Sequence, residues 1–435
     1  MPAELAGIAG FAAALVLIAL RVPVAVAMGL VGVVGAIPLA GWPAVRFMLG
    51  TLPFGAVHPY GLSVVPLFIF MGVFAAHAGL SRNLYDGIYA FVGHVRGGLA
   101  LATIGACAGF GAICGSSLAT AATMSRVALP EMRRKGYADS LAAASVAAGG
   151  TLGVLIPPSI ILVIYALLTR ESIGALFAAA LFPGLLGTAL YMLAVRVRTR
   201  MNPGLGPAGE RRDTAGRLRA LGRTWDVVLL FVVVIGGIYA GLFSPTEAAA
   251  VGAAGAFVFA ALRGRLTREV LLGGIREAAV TSGMIFFILI GAALFNFFIE
   301  SSNLPQFLVS TVAALDWPAW GVMVVLLLFY LLLGCFMDSL SMMLLTVPFV
   351  FPVVTHLGYD PVWFGVVLVT VIELGLITPP IGMNLFVIQA ADERLSLPRI
   401  MTGIIPFILA DVLRLALLLA FPVIALGLPR ALGLG

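Results

Sequence analysis

The sequence carries the same set of landmarks twice. Pro130, Gly136-Tyr137 and Gly153-Val154-Leu155-Ile156-Pro157-Pro158 return as Pro352, Gly358-Tyr359 and Gly375-Leu376-Ile377-Thr378-Pro379-Pro380, each displaced by 222 residues. The displacement drifts to 223 only at Pro183 and Pro406. Such an echo constrains the chain to two related halves. In an apolar chain, paired Gly/Pro interruptions at corresponding places also point to the binding site of a transporter.

Composition decides that the chain is apolar enough. Of its 435 residues 62% are hydrophobic and only 10% charged, with a mean hydropathy of +1.13; a soluble domain carries about 25% charged residues. We therefore read an all-α polytopic membrane protein. At about 20 residues per span, the length accommodates roughly a dozen membrane segments.

Continuous apolar runs predict spans near 4–20, 22–41, 58–79, 172–195, 225–243, 246–262, 277–299 and 401–425. The first has no basic leader and no small-residue cleavage site, so it reads as a span and not as a removable signal peptide. Cys107, Cys114 and Cys335 lie in apolar segments without a CxxC or a neighbouring His, as free core thiols do. The chain also lacks His-Glu-x-x-His, Gly-x-Ser-x-Gly and a phosphate loop, and its four histidines are scattered, so no enzymatic activity is expected.

Arginines set the orientation. Eight of them, from Arg196 to Arg223, crowd residues 196–224, which the positive-inside bias assigns to a cytoplasmic linker. The net charge of +6 thus reports orientation and not a nucleic-acid partner. Residues 131–136 read Glu-Met-Arg-Arg-Lys-Gly, whereas their equivalents 353–358 read Val-Val-Thr-His-Leu-Gly. One copy faces the cytoplasm and the other faces away. The expected organisation is an inverted-topology repeat, 1–195 and 225–435 around the linker, with an external N-terminus.

For both halves to work, each must contain a re-entrant hairpin, at 98–130 and 319–352, followed by a broken helix at 139–168 and 361–390. The hairpin tips fall at Cys114-Gly115-Ser116-Ser117 and at Met337-Asp338-Ser339, and the same offset aligns Asp338 with Ser116 and Ser339 with Ser117. Proline has no amide hydrogen and clashes with the preceding turn, so both Pro-Pro pairs must unwind their helices. Unwinding frees carbonyl oxygens that suit Na⁺ and amide hydrogens that suit a carboxylate. Exposed backbone at membrane depth is tolerated only in a cavity or buried in protein.

Other residues sort by cost. Asp338 is a carboxylate inside an apolar segment, expensive and a functional candidate by default, although it can also cap the helix that begins at Ser339. Glu373 fits either a structural pairing or a transport role. Asp411 and Arg414 stand three apart and can pair with each other. Arg126 faces either the substrate exit or the cytoplasmic headgroups, and snorkelling favours the headgroups. Ser244-Pro245-Thr246-Glu247 reads as a capping box opening the next span.

These residues lie in a wider pattern. Pro66-Leu67-Phe68-Ile69, Gly115-Ser116-Ser117-Leu118-Ala119-Thr120, Leu129-Pro130-Glu131-Met132, Ala147 to Gly153, Ile156-Pro157-Pro158-Ser159 and Thr378-Pro379-Pro380-Ile381-Gly382-Met383-Asn384 resemble the large membrane (permease) subunit of tripartite ATP-independent periplasmic (TRAP) transporters, of the ion transporter superfamily. The resemblance runs over nearly the whole chain. It implies an elevator-type secondary transporter with a scaffold and a transport domain, in the bacterial inner membrane, importing an organic acid such as a C4-dicarboxylate or a sialic acid. The coupling ion would be Na⁺. Partners would be a periplasmic substrate-binding protein and a small four-span membrane subunit, expected here as a separate chain.

Carried over residue by residue, the resemblance implies one Na⁺ site at Ser116, Gly150, Gly153 and Pro157, and another at Gly334, Gly375, Thr378 and Ile381, with Asp338 as a further candidate. Substrate would lie near Ser117, Ser159 and Ser339. The rival reading is a stand-alone divalent-anion/Na⁺ symporter of related architecture that works without a binding protein.

Overall fold

The computed structural model describes residues 2–315 and 317–434, and every regular element among them is a helix. Among the described residues seven helices are long and apolar enough to cross a membrane, and counting each of two bent helix pairs as one span gives up to nine. Several predicted spans appear close to their expected limits, as Ala3–Ala19, Tyr60–His77 and Pro245–Leu262. Others are longer, as Arg268–Ser301 is for the predicted 277–299. The predicted span 22–41 ends at a break at Gly41, where φ is +79° and the backbone is non-helical, and helical structure resumes beyond it to Val57. Pro38 and Pro43 flank that break and interrupt the hydrogen-bond ladder on both sides.

The basic stretch also differs in detail from a simple linker. Helix Ile173–Met201 continues into it and carries Arg196, Arg198 and Arg200 on its last turns. Farther on, Asp213 accepts from the Gly216 amide at 3.0 Å and caps a short helix, Thr214–Leu221. The last predicted span divides into Leu397–Ala420 and Val423–Ala431 at Phe421-Pro422.

The internal echo is carried into the helices. The first hairpin consists of Gly98–Cys114 and Ser117–Arg134, and the second of Ala319–Gly334 and Ser339–His356. Adding 222 to Ser117–Arg134 gives Ser339–His356, and adding it to Asp139–Leu155 gives Pro361–Ile377, residue for residue. Each broken helix then resumes, as Ile160–Thr169 in the first half and Met383–Ala391 in the second. The two segments of the first broken helix meet at 40°.

Packing separates two groups of helices. Hairpins pack on broken helices, the broken helices pack on each other, and Ile173–Met201 and Leu397–Ala420 complete this body. In the other group Val24–Val57 lies along Arg268–Ser301, and Tyr60–His77 along Pro245–Leu262. The hairpin tips lie where the two groups face each other.

Candidate functional site

Each hairpin turns on a residue chosen for the turn. Gly115 ends the first arm with φ +64°, a left-handed conformation that glycine adopts without a Cβ penalty. A Cβ there would also lie 2.9 Å from the Pro158 carbonyl oxygen, so the tip rests directly on the first helix break. Ser116 is extended and caps the second arm, accepting from the Ala119 amide at 3.4 Å. The second tip likewise touches its own break, with Cys335 Sγ 3.9 Å from the Pro379 carbonyl oxygen.

Asp338 acts as the cap of its helix. Its Oδ1 accepts from the Leu340 and Ser341 amides at 3.1 and 3.0 Å, and its Oδ2 accepts from the Ser341 hydroxyl. These bonds engage both oxygens of Asp338, which also lines the cavity.

The breaks are similar in backbone and unequal in side chains. Ile156 and Thr378 both leave their helices in extended conformation, with ψ 120° and 127°. After the first break Ser159 is fully buried and caps Ile160–Thr169 through the Leu162 amide at 3.3 Å. After the second, Gly382 opens Met383–Ala391 with no side-chain cap. Thr378 turns its hydroxyl back onto the Leu374 carbonyl at 2.6 Å.

Four of the sequence-derived candidates, Ser116, Ser117, Asp338 and Ser339, line one cavity of about 420 Å³. Its opposite wall comes from Arg268–Ser301, through Glu277, Thr281 and Ile288, and from the start of Val24–Val57. No basic side chain lines it among the described residues, whereas the carboxylates of Glu277 and Asp338 do. An anion is better suited to the first hairpin's helix N-terminus, because at the second Asp338 already takes the Leu340 and Ser341 amides.

The remaining candidates stand behind this cavity. Gly150 packs against Ala121 and the Ser117 carbonyl, Gly153 against Thr120 and Gly111, and Gly334 against Gly375. Pro157 is buried at the first break, while Thr378 and Ile381 are half-buried at the second. None of these seven, nor Ser159, contributes to the shared lining.

Several contacts were not readable from spacing alone. The Ser339 hydroxyl donates to Glu373 Oε1 at 2.8 Å, joining the second tip to the second broken helix. Thr120 Oγ1 is buried beside Gly153 without a hydrogen-bond partner. Asp411 and Arg414 pair as expected, at 2.7 Å and with both side chains fully buried. Tyr191 from the first half donates to the same Asp411 carboxylate.

Comparison with known proteins gives the family of the chain. The family model described as "Tripartite ATP-independent periplasmic transporter, DctM component" matches residues 11–424. The chain is 37% identical over 382 residues to the C4-dicarboxylate TRAP transporter large permease protein DctM of Pseudomonas aeruginosa, covering 86% of this chain and 87% of that one. It is 34% identical to the ectoine/5-hydroxyectoine TRAP transporter large permease protein UehC of Ruegeria pomeroyi (85% and 86% covered) and 32% identical to the sialic acid TRAP transporter large permease protein SiaM of Vibrio cholerae (86% and 88%). Among solved structures, the Alcanivorax borkumensis YdaH transporter, described as having an unusual topology, superposes with a TM-score of 0.59 at 16% identity, covering 91% of each chain. That likeness is one of fold. With the family model spanning nearly its whole length, the chain belongs to the DctM component, the large permease, of the tripartite ATP-independent periplasmic transporters.

Proposed function

We propose that the protein imports an organic acid by Na⁺-coupled, binding-protein-dependent secondary transport. The observation that carries this reading is the shared cavity, in which two capped hairpin tips converge and no basic side chain lines the wall among the described residues. A carboxylate held there by amides and hydroxyls gains most from a cation bound nearby. Thr120 supports a cation at the first break, because its buried hydroxyl oxygen has no partner and lies next to Gly153. Unwound carbonyls near Gly153 and Pro157, and near Gly375 and Thr378, supply the remaining oxygens.

The transport cycle is an elevator movement of the hairpins and broken helices against the body built on Val24–Val57 and Arg268–Ser301. The two halves are inverted, with the N-terminus periplasmic and residues 196–224 in the cytoplasm of a bacterial inner-membrane protein. A small four-span membrane subunit and a periplasmic binding protein complete the assembly. Family membership favours this reading over a stand-alone symporter.

The test is ligand screening of the cognate binding protein, followed by uptake of the ligand into proteoliposomes containing both membrane subunits. Uptake should require an inward Na⁺ gradient. Transport indifferent to that gradient would end the coupling claim.

A further inference from the structure

Glu373 is fully buried in Pro361–Ile377, two residues before the Gly375 crossing. Its Oε1 takes the Ser339 hydroxyl at 2.8 Å, and the Ser117 side chain of the opposite tip lies near the same carboxylate. Its Oε2 has no hydrogen-bond partner. A buried acceptor without a partner requires an explanation.

The charges around it sharpen the point. Arg414 and Asp411 are the charged groups that act on Glu373. They are bound to each other at 2.7 Å, and Tyr191 donates to the same Asp411. The guanidinium is therefore engaged by its own carboxylate. Burial disfavours a lone charge here, so an ionised Glu373, which would leave the trio with one negative charge in excess, calls for an accompanying cation.

We propose that Glu373 is the anionic ligand of a further Na⁺ site, set between the two hairpin tips and separate from the sites at the two helix breaks. Glu373 Oε2 supplies the charge, and the hydroxyls of Ser117 and Ser339 supply oxygens of the kind a hard cation prefers. Because those serines come from opposite halves of the repeat, an ion here ties the two tips together behind the cavity they line. The inference rests on the Na⁺-coupled reading of the protein.

The test is the thermal unfolding midpoint of the purified complex with its small subunit, measured against NaCl with choline chloride holding ionic strength constant. Wild type should be stabilised by Na⁺ as a ligand of the folded state. Glu373→Gln should lower the Hill coefficient of that response by about one or move its midpoint at least about tenfold upward. Glu373→Asp keeps the charge one methylene short and should retain the response at higher Na⁺, which also serves if the Gln variant does not fold. A Gln or Asp variant with the wild-type Na⁺ curve overturns the site while leaving Na⁺ coupling intact. A wild type that shows no Na⁺ response, together with uptake indifferent to the gradient, overturns both.

Discussion

Gly111 and Gly153 cross backbone to backbone: a Cβ on Gly111 would stand 2.1 Å from the Gly153 Cα. The first hairpin arm and the first broken helix meet at that point, four residues before Pro157. The second half repeats the crossing with Gly334 and Gly375, where a Cβ on Gly375 would stand 2.6 Å from the Gly334 Cα. Each break is thereby held against its own hairpin tip. The repeated element is a tip, a glycine crossing and an unwound helix acting as one unit.

Alanine at either crossing should therefore force two helix backbones apart. Gly111→Ala and Gly375→Ala are expected to lower stability by about 1–3 kcal/mol, the usual cost of overpacking a close contact. Gly283→Ala is the control, since nothing stands within 4 Å of a Cβ there, and helix propensity would leave stability unchanged or raise it by up to about 1 kcal/mol. Thermal midpoints of the purified variants check this. Equal midpoints for all three would mean that the crossings tolerate separation.

Arg134 and His356 end equivalent helices, are both exposed, and should lie on opposite sides of the membrane. Arg134→Cys is expected to react with a membrane-impermeant maleimide only after the cytoplasmic face is opened. His356→Cys should react in cells whose outer membrane alone is permeabilised. The three native thiols are buried and free, so they should contribute little background. Labelling of both positions from one side would rule out inversion.

Asp392 ties the base of the first hairpin to the end of the second broken helix. It follows Met383–Ala391 in a loop, where Arg394 Nε lies 2.9 Å away and Arg133 donates from the hairpin foot. Those two guanidinium contacts, Arg394 foremost, hold its carboxyl down to about 2. A depressed carboxylate stabilises the fold above its unfolded value of about 4 and loses that contribution as pH falls through its folded value. Asp392→Asn should therefore lower the thermal midpoint at pH 5, and the gap from wild type should close as pH falls from about 4 to about 2. A gap that stays constant over that window would assign the effect to packing.

The sequence announced the breaks because proline and glycine act on the backbone locally. Pro157-Pro158 and Pro379-Pro380 unwind a helix wherever it lies, so their positions could be read without a fold. The hairpin tips were legible for a similar reason, as Gly115-Ser116 and Asp338 carry turn and cap chemistry in their own side chains. Asp338 suits both a cap and a ligand by its chemistry, and the fold realises the cap bonds. What could not be read were meetings across space. Glu373 and Ser339 are 34 residues apart, and nothing in either segment says that one faces the other. Gly111 carries no local signal, and its role comes only from the Gly153 backbone packed against it.

Asp411 and Arg414 provide the sharpest test of how charge is kept inside this body. Both side chains are fully buried, and although they form an ion pair, none of Arg414 Nε, Nη1 and Nη2 has a hydrogen-bond partner. Space for the guanidinium depends on Gly187, where a Cβ would stand 2.1 Å from Arg414 Nη1. Removing the carboxylate alone leaves a buried cation without its counter-charge, so Asp411→Ala should destabilise the protein by about 3–5 kcal/mol. Replacing both partners by apolar side chains of similar size, Asp411→Leu with Arg414→Met, removes the desolvation cost together with the attraction. The double variant should recover most of the loss. A double variant as unstable as Asp411→Ala would mean that the Tyr191 hydroxyl, left without its acceptor on Asp411, and not the unpaired guanidinium, dominates the penalty.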